Sequence, residues 1–141
     1  MSKTIVVDTS IIASALIGKR EPSREVLRKC LLDEYEPLIS NALFNEIEDV
    51  ISRERIIKAC PLPKKDIREL VNAFYGVCRW VPVYFLWRPN LSDEGDNFLI
   101  ELAIAGNAEA IVTNNIKDLE GSELFFEGLK ILKPEHMLKE I

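Results

Sequence analysis

The stretch Thr4-Ile5-Val6-Val7-Asp8-Thr9-Ser10 predicts how this chain folds. Thr4–Val7 is a short run rich in β-branched side chains, which is typical of a buried strand. Ser10–Ile17 then predicts a short helix that ends at Gly18. Asp8 therefore stands at the carboxyl end of a strand. In an open parallel sheet these ends meet at one crevice, and ligands bind there.

The rest of the chain alternates strands with helices. Further strands are predicted at Glu36–Ile39, Trp80–Phe85, Ala110–Val112 and Lys130–Leu132. Helices are predicted from Ser23, from Ser40, after Pro63, from about Ser92 to Ala105, and at Pro134–Ile141. This alternation implies crossover connections and a mainly parallel sheet. We expect an α/β fold, a three-layer α/β/α sandwich, with residues 1–141 forming one domain.

The composition limits the class of protein. A hydrophobic share of 48% and a charged share of 29% are ordinary for a globular protein with a core. No apolar run approaches the length that spans a bilayer, and the N-terminus lacks a signal-peptide cleavage region. Three cysteines without CxxC spacing indicate neither a disulfide framework nor a zinc site. We therefore expect a cytoplasmic protein without membrane contact.

The charge does not favour nucleic-acid binding by itself. The net charge is −5, and most of the acidic excess lies in residues 81–141, whereas nucleic-acid binders usually carry a basic patch. Bound divalent cations would offset part of this charge. Two groups of basic residues could also guide phosphates, although each alone is typical of a solvated helix surface. The groups are Lys19, Arg20, Arg24, Arg28 and Lys29, and then Arg53, Arg55 and Lys58.

Four acidic residues stand where a metal-dependent nuclease needs them. Asp8 and Asp118 follow apolar runs that are predicted to be strands, and Glu46 and Asp96 lie in predicted helices. A crevice lined with carboxylates requires a cation. Because the ligands are oxygen atoms, the simplest choice is Mg²⁺ or Mn²⁺.

Each acid also has a structural explanation. Asp8 could cap the helix that follows it. Glu46 and Glu48 flank the apolar face of their helix equally, so periodicity does not choose between them. Asp93 and Asp96 lie three residues apart in a first helical turn, where the helix dipole stabilises acids.

The turn Thr113-Asn114-Asn115-Ile116-Lys117-Asp118 leaves two interpretations open. Asp118 could cap a short helical region while Asn114 or Asn115 makes the turn. Alternatively, Asn115 and Asp118 supply oxygen ligands or orient a metal-bound water.

Other catalytic chemistries have little support. His136 is the only histidine, which argues against a zinc site, and Ser10 lacks the context of a nucleophile elbow. Since no glycine-rich phosphate-binding motif occurs, nucleotide cofactors and P-loop chemistry are disfavoured.

In these segments the chain resembles PIN-domain proteins, above all the VapC-like toxins of bacterial and archaeal toxin–antitoxin pairs. The likeness covers essentially the whole length. Val6-Val7-Asp8-Thr9-Ser10 resembles the opening strand of the family with its Asp-Thr-Asn/Ser signature. The segments 39–46, 93–99 and 111–119 resemble, in order, those that carry the second, third and fourth acids.

The resemblance selects among the acids. Its register assigns the second acid to Glu46 rather than Glu48, and the third to Asp96, with Asp93 nearby as a secondary candidate. Many family members have a Gly-Asp pair where this chain has Asn114-Asn115. Others have Asn there and an acid three residues later, as this chain does, which implies that Asp118 is the fourth acid.

The resemblance implies an endoribonuclease that depends on Mg²⁺ or Mn²⁺ and hydrolyses RNA phosphodiester bonds. It also implies an antitoxin partner and a homodimer. Glu46 would be a ligand or a base, and Thr9 or Ser10 would orient Asp8 or a phosphate oxygen. Asn115 would be a polar helper. The metal would be held by Asp8, Asp96 and Asp118.

Two alternatives remain open. The first is a DNA-directed or structure-selective nuclease with the same metals. The second is a non-catalytic binding module whose acids are caps, an interpretation that the Asn114-Asn115 pair and the acidic charge favour.

Overall fold

The predicted first strand forms the centre of a five-stranded sheet. The computed structural model describes residues 2–18, 21–83, 97–115 and 128–140. The strands are β1 (Lys3–Val7), β2 (Tyr35–Ile39), β3 (Arg79–Trp80), β4 (Ala110–Val112) and β5 (Lys130–Leu132). Their order is β3-β2-β1-β4-β5, and all four pairings are parallel. The parallel sheet is therefore confirmed.

Seven helices are described. They are α1 (Thr9–Ile17), α2 (Glu21–Leu31), α3 (Asn41–Ser52), α4 (Glu54–Ala59), α5 (Lys64–Val77), α6 (Asn97–Ala105) and α7 (Pro134–Lys139). After β1 the chain adds β2 and then β3 on one side of β1, and it then crosses to the other side of β1 to form β4. Right-handed crossovers therefore place α1–α5 on one face and α6 on the other, where it contacts β1, β2 and β4. The three-layer sandwich is confirmed.

The core explains why β1 is so apolar. Ile5, Val6 and Val7 are almost completely buried, because β1 lies in the middle of the sheet with a helical layer on each face. None of the described helices combines the length and the apolar character that crossing a bilayer requires.

Several predicted boundaries differ from the structure. Ser23 lies inside α2 rather than at its cap, so that prediction is wrong. Ser40 does cap α3, since its hydroxyl accepts a hydrogen bond from the Leu43 N–H at 3.3 Å. Strand β3 ends at Trp80 rather than continuing into 81–83, where Pro82 has no N–H to donate. Predicted strand residues 84 and 85, and predicted helix residues 92–96, lie outside the described residues.

The strand registers align the residues that follow the strands. The Asp8 N–H donates to the Val112 carbonyl at 3.0 Å, so the β1–β4 ladder continues one residue past β1. Neighbouring strands lie about 4.8 Å apart. Continuing the β1–β4 and β2–β3 registers by one residue and the β1–β2 register by three gives a single row along the carboxyl edge of the sheet, which we call the edge row: Val81, Ser40, Asp8 and Thr113.

Gly106 allows α6 to end close to β2. A Cβ at this position would overlap the Cδ1 atom of Leu38 and lie 3.2 Å from Cγ2 of Val81. Leu38 is fully buried, so its side chain has little room to move. The residue with a left-handed backbone after α6 is Asn107, with φ of 55°. Gly106 is thus required for close approach rather than for its φ angle.

We expect Gly106→Ala to lower the free energy of unfolding by about 1–3 kcal/mol, since the added methyl overpacks the core. Urea denaturation measures this change. Gly76→Ala is the matched control, because nothing lies within 4 Å of a Cβ at that helical position. The control should be neutral or up to about 1 kcal/mol more stable. Equal losses in both variants would contradict the close-approach role.

Candidate active site

Asp8 presents a buried carboxylate at the carboxyl end of β1. The residue is 7% exposed. Its Oδ2 accepts hydrogen bonds from the Thr113 hydroxyl at 2.6 Å and the Ser10 hydroxyl at 2.9 Å. Its Oδ1 accepts a longer one from the Thr9 hydroxyl at 3.4 Å. Although Asp8 occupies the N-cap position of α1, its side chain accepts no capping hydrogen bond. The capping explanation of this acid is therefore wrong.

The position of Asp8 in the sheet is a recognised place for a binding site. The chain leaves β1 toward β2 and reaches β4 from the opposite direction, so β1 and β4 flank the point where the strand order reverses. In open α/β sheets, ligands bind outside the carboxyl ends of the strands at this point. Thr113 directly follows β4 and is fully buried. Its hydrogen bond to Asp8 joins the carboxyl ends of β4 and β1.

Asn114 joins the end of β4 to α1. Its backbone N–H donates to Ser10 Oγ at 3.1 Å, and its Nδ2 donates to the Ser10 carbonyl at 3.3 Å and to Ser14 Oγ at 3.1 Å. Its Oδ1 is buried and has no hydrogen-bond partner among the described residues. A buried acceptor without a partner is costly, so this oxygen is suited to a water molecule or a cation.

The donor set fits a hard divalent cation. The described groups at this edge can all act as oxygen ligands of a metal ion. They are the Asp8 carboxylate, the Asn114 amide oxygen and the hydroxyls of Thr9, Ser10 and Thr113. Such ligands suit Mg²⁺ or Mn²⁺ rather than a softer metal. Every described hydrogen-bond partner of the Asp8 side chain is a neutral hydroxyl, and no ion pair of the described residues includes Asp8. A cation would therefore complete its charge balance.

The structure describes only part of the predicted acid set. Asp93, Asp96 and Asp118 lie outside the described residues. Within the described ranges, no three His, Cys, Asp or Glu residues lie close enough to hold a metal ion. Asn115 is described: its side chain is exposed, and its backbone N–H donates to the Thr113 hydroxyl at 2.9 Å.

Glu48 has a structural role on α3. Arg68 on α5 donates to both of its carboxylate oxygens at 2.9 Å, and the Tyr75 hydroxyl donates to one of them at 2.6 Å. The hydrogen bonds from Arg68 and then Tyr75 lower the pKa of Glu48 below its ordinary value. Burial, together with the bond to Glu48, raises the pKa of Tyr75, so Tyr75 stays a donor at neutral pH. These contacts tie α3 to α5.

Glu46 makes weaker contacts than the other two acids of α3, Glu48 and Asp49. Its carboxylate lies 3.9 Å from the Arg53 guanidinium, and its side chain is 42% exposed. Arg53 itself bonds more closely to Asp49, at 2.6 Å. Because Glu48 and Asp49 are held by other partners, Glu46 is the α3 acid most available to a ligand.

Sequence reasoning missed Thr113 and Asn114 as parts of the site. Both directly follow a short apolar strand, as Asp8 does, and that shared position was the available signal. It also missed Glu101, a buried acid on α6. The signal there was a single acid inside the apolar run Phe98–Ala103.

Comparisons with known proteins identify the family. The model of the PIN domain matches residues 4–117, so the chain belongs to the PIN domain family. Membership in this family supports a nuclease, a hydrolase of phosphodiester bonds. No curated protein matches the sequence.

Among solved structures, one match is VapBC2 from Rickettsia felis bound to a DNA fragment from its promoter. The two chains share 16% identity, with a TM-score of 0.58, and the match covers 91% of this chain and 96% of the other. At this identity the likeness shows the shared fold.

We expect Glu48→Gln to reduce the acid sensitivity of the fold. Because the folded-state pKa of Glu48 is lowered, its stabilising effect is complete above the ordinary pKa of 4.5 and is lost as the pH falls through the lower folded value. Urea denaturation from neutral pH down to about pH 3 should show a steeper loss of stability in wild type than in Glu48→Gln. Parallel curves would show that the contacts of Glu48 do not couple its ionisation to folding.

Proposed function

We propose that this chain is a metal-dependent endoribonuclease that hydrolyses RNA phosphodiester bonds. The observation that carries the proposal is the buried Asp8 carboxylate, held by neutral hydroxyls at the point where the strand order reverses. Family membership supports the reaction class, because phosphodiester hydrolysis on metals held by carboxylates requires neither a histidine nor a covalent nucleophile.

The metal would be Mg²⁺ or Mn²⁺, held by Asp8, Asp96 and Asp118. When bound, it would supply a water of lowered pKa and positive charge for the phosphoryl oxygens. Glu46 is proposed as a further ligand or as a base, and Asp93 as a secondary candidate.

The hydroxyls of Ser10 and Thr113 would fix the orientation of Asp8. Both donate to Oδ2, so Oδ1, with its single longer contact at 3.4 Å, is the oxygen more available to a cation. In the first turn of α1 the Ile11 N–H donates to the Asp8 carbonyl at 3.0 Å, whereas the N–H groups at the very start of a helix have no acceptor within the helix and can donate to a phosphate oxygen. Thr9 and Ser10 stand in that turn. The exposed Asn115 is proposed to orient substrate or water.

We further propose that the chain is the toxin of a toxin–antitoxin pair. The structural likeness to VapBC2 supports a cognate antitoxin as partner. A homodimer and a cytoplasmic location are proposed on the family resemblance.

Asp8→Asn should lower the rate of RNA cleavage by at least about a hundredfold in Mg²⁺ or Mn²⁺, since even groups that only support metal ligands typically contribute 10–100-fold. Gel-resolved cleavage of a labelled single-stranded RNA measures the rate. Asp96→Asn and Asp118→Asn should behave similarly. Glu48→Gln is the control, because Glu48 is held by Arg68 and Tyr75. This variant should cleave RNA at nearly the wild-type rate.

Three outcomes would contradict the proposal. If Asp8→Asn cleaves as fast as wild type, the assignment of the metal site is wrong. If wild type cleaves a DNA oligonucleotide but not the RNA of matched sequence, the enzyme is a DNA-directed nuclease. If wild type cleaves neither and binds no millimolar Mn²⁺ in calorimetry, the chain is a binding module.

Thr113→Val should weaken Mn²⁺ binding by about tenfold or more, because it removes the 2.6 Å hydrogen bond that orients Asp8 while keeping the side-chain shape. Titration calorimetry measures the affinity. Thr4→Val is a control at the opposite end of β1, where the hydroxyl bonds to Glu36 instead. Unchanged Mn²⁺ affinity in Thr113→Val would show that Thr113 does not position the ligand.

A further inference from the structure

A cavity of about 460 Å³ lies at the carboxyl edge of the sheet, and its walls include Ser40 and Val81 of the edge row. This volume is within the usual range of small-molecule sites. Its walls come from the start of α3, from the residues at the end of β3, and from α6. Trp80 and Phe98 are the aromatic residues among the described lining residues, and Ser40, Asn41 and Glu101 are the polar ones.

The indole of Trp80 is partly exposed to solvent and also packs against a neighbouring ring. The residue is 48% exposed, which is unusual for so large an apolar side chain. Its ring packs against Phe44 at 5.6 Å between centroids, and Phe44 packs against Tyr75 at 4.9 Å. Tyr75 is held in turn by its hydrogen bond to Glu48. An aromatic ring that is fixed on one side and open to solvent is suited to stacking on a planar ligand.

The cavity lies within reach of a phosphate bound at Asp8. In the edge row, Ser40 is one strand from Asp8 and Val81 is two strands away, which corresponds to about 10 Å. A few nucleotides of a single strand cover that span, since each rises about 3.4 Å even when stacked. A base within a few nucleotides of the cleaved bond can therefore enter the cavity.

The charge of the walls distinguishes a base from a phosphate. None of the described residues that line the cavity is a lysine or arginine, and Glu101 contributes a carboxylate. The described walls therefore offer a phosphate no cation, whereas a neutral base offers a flat face to Trp80 and polar edges to the hydroxyl and amide groups. The polar wall also distinguishes the cavity from a purely apolar contact between protein copies.

We propose that this cavity binds an unpaired nucleobase within a few nucleotides of the scissile phosphate, with Trp80 as its stacking surface. The proposal rests on the proposed function for the nature of the substrate. It gives the enzyme a preference for single strands, since the faces of bases in a duplex are already stacked on their neighbours.

Trp80 fluorescence tests the stacking directly. In a Trp87→Phe variant, Trp80 is the only tryptophan of the chain. With EDTA present to prevent cleavage, a short single-stranded RNA should quench its emission to saturation. A matched RNA with abasic residues should bind about tenfold or more weakly. Absence of quenching, or equal binding of the abasic RNA, would overturn the proposal.

Steady-state cleavage gives a second test. Trp80→Ala should raise KM about tenfold or more with little change in kcat, and Trp80→Phe should retain most of the affinity. Leu32→Ala is the control, since this exposed side chain precedes β2 at the opposite edge of the sheet. A loss of kcat alone in Trp80→Ala would contradict stacking. So would a change of oligomeric state with unchanged RNA affinity, which would show an interface between copies.

The two proposals fail in different ways. If Asp8→Asn loses cleavage but keeps the quenching of Trp80, both are supported. If Asp8→Asn cleaves normally while base-dependent quenching persists, the metal site is wrong but the base site stands. If cleavage depends on Asp8 and quenching is absent, only the base site is wrong.

Discussion

The hydrogen bond from Thr113 to Asp8 is the contact on which the site depends. It joins the ends of β1 and β4 through a carboxylate that is almost fully buried, at 2.6 Å. Burying a carboxylate is costly unless it is hydrogen-bonded and charge-balanced. Hydroxyls meet the first requirement, and no ion pair among the described residues meets the second. Such an arrangement is poorly explained by stability alone and well explained by a cation ligand.

The same topology that places Asp8 where the strand order reverses also forms the cavity at the carboxyl edge of the sheet. Because the chain turns back after β3, α6 lies on the other face of the sheet, and its Phe98 and Glu101 line the same cavity as residues at the end of β3. Gly106 lets this helix end close to Leu38 on β2. The close packing of α6 and the cavity wall are therefore consequences of one reversal in strand order.

The sequence predicted local elements well and long-range partners poorly. The strand β1, the helix α1 and its end at Gly18 follow from apolar patterning and turn chemistry, which act over a few residues. Periodicity could not separate Glu46 from Glu48. The distinction depends on Arg68 and Tyr75, which lie 20 and 27 residues from Glu48 in the chain. Family register chose Glu46, and the contacts of Glu48 give that choice a physical reason.

Part of the site could have been predicted and was not. Thr113 and Asn114 directly follow a strand, so their position alone placed them at the carboxyl edge. What the sequence could not show is that Thr113 lies opposite Asp8, since this requires the β1–β4 register. The predicted roles of Asp96 and Asp118 concern residues outside the described ranges and stay predictions.

The net charge of −5 constrains how RNA could bind. Three cations of the basic clusters already pair with acids on their own helices or at their ends: Arg28 with Glu25, Arg53 with Asp49, and Lys58 with Glu54. Affinity that arises from phosphate contacts requires free Lys and Arg and the release of counterions. Pairing lowers what these three cations can contribute to phosphate contacts. Binding through a metal at Asp8 and a base stacked on Trp80 needs neither free Lys and Arg nor counterion release, so the two proposed sites together account for how such a protein could hold RNA.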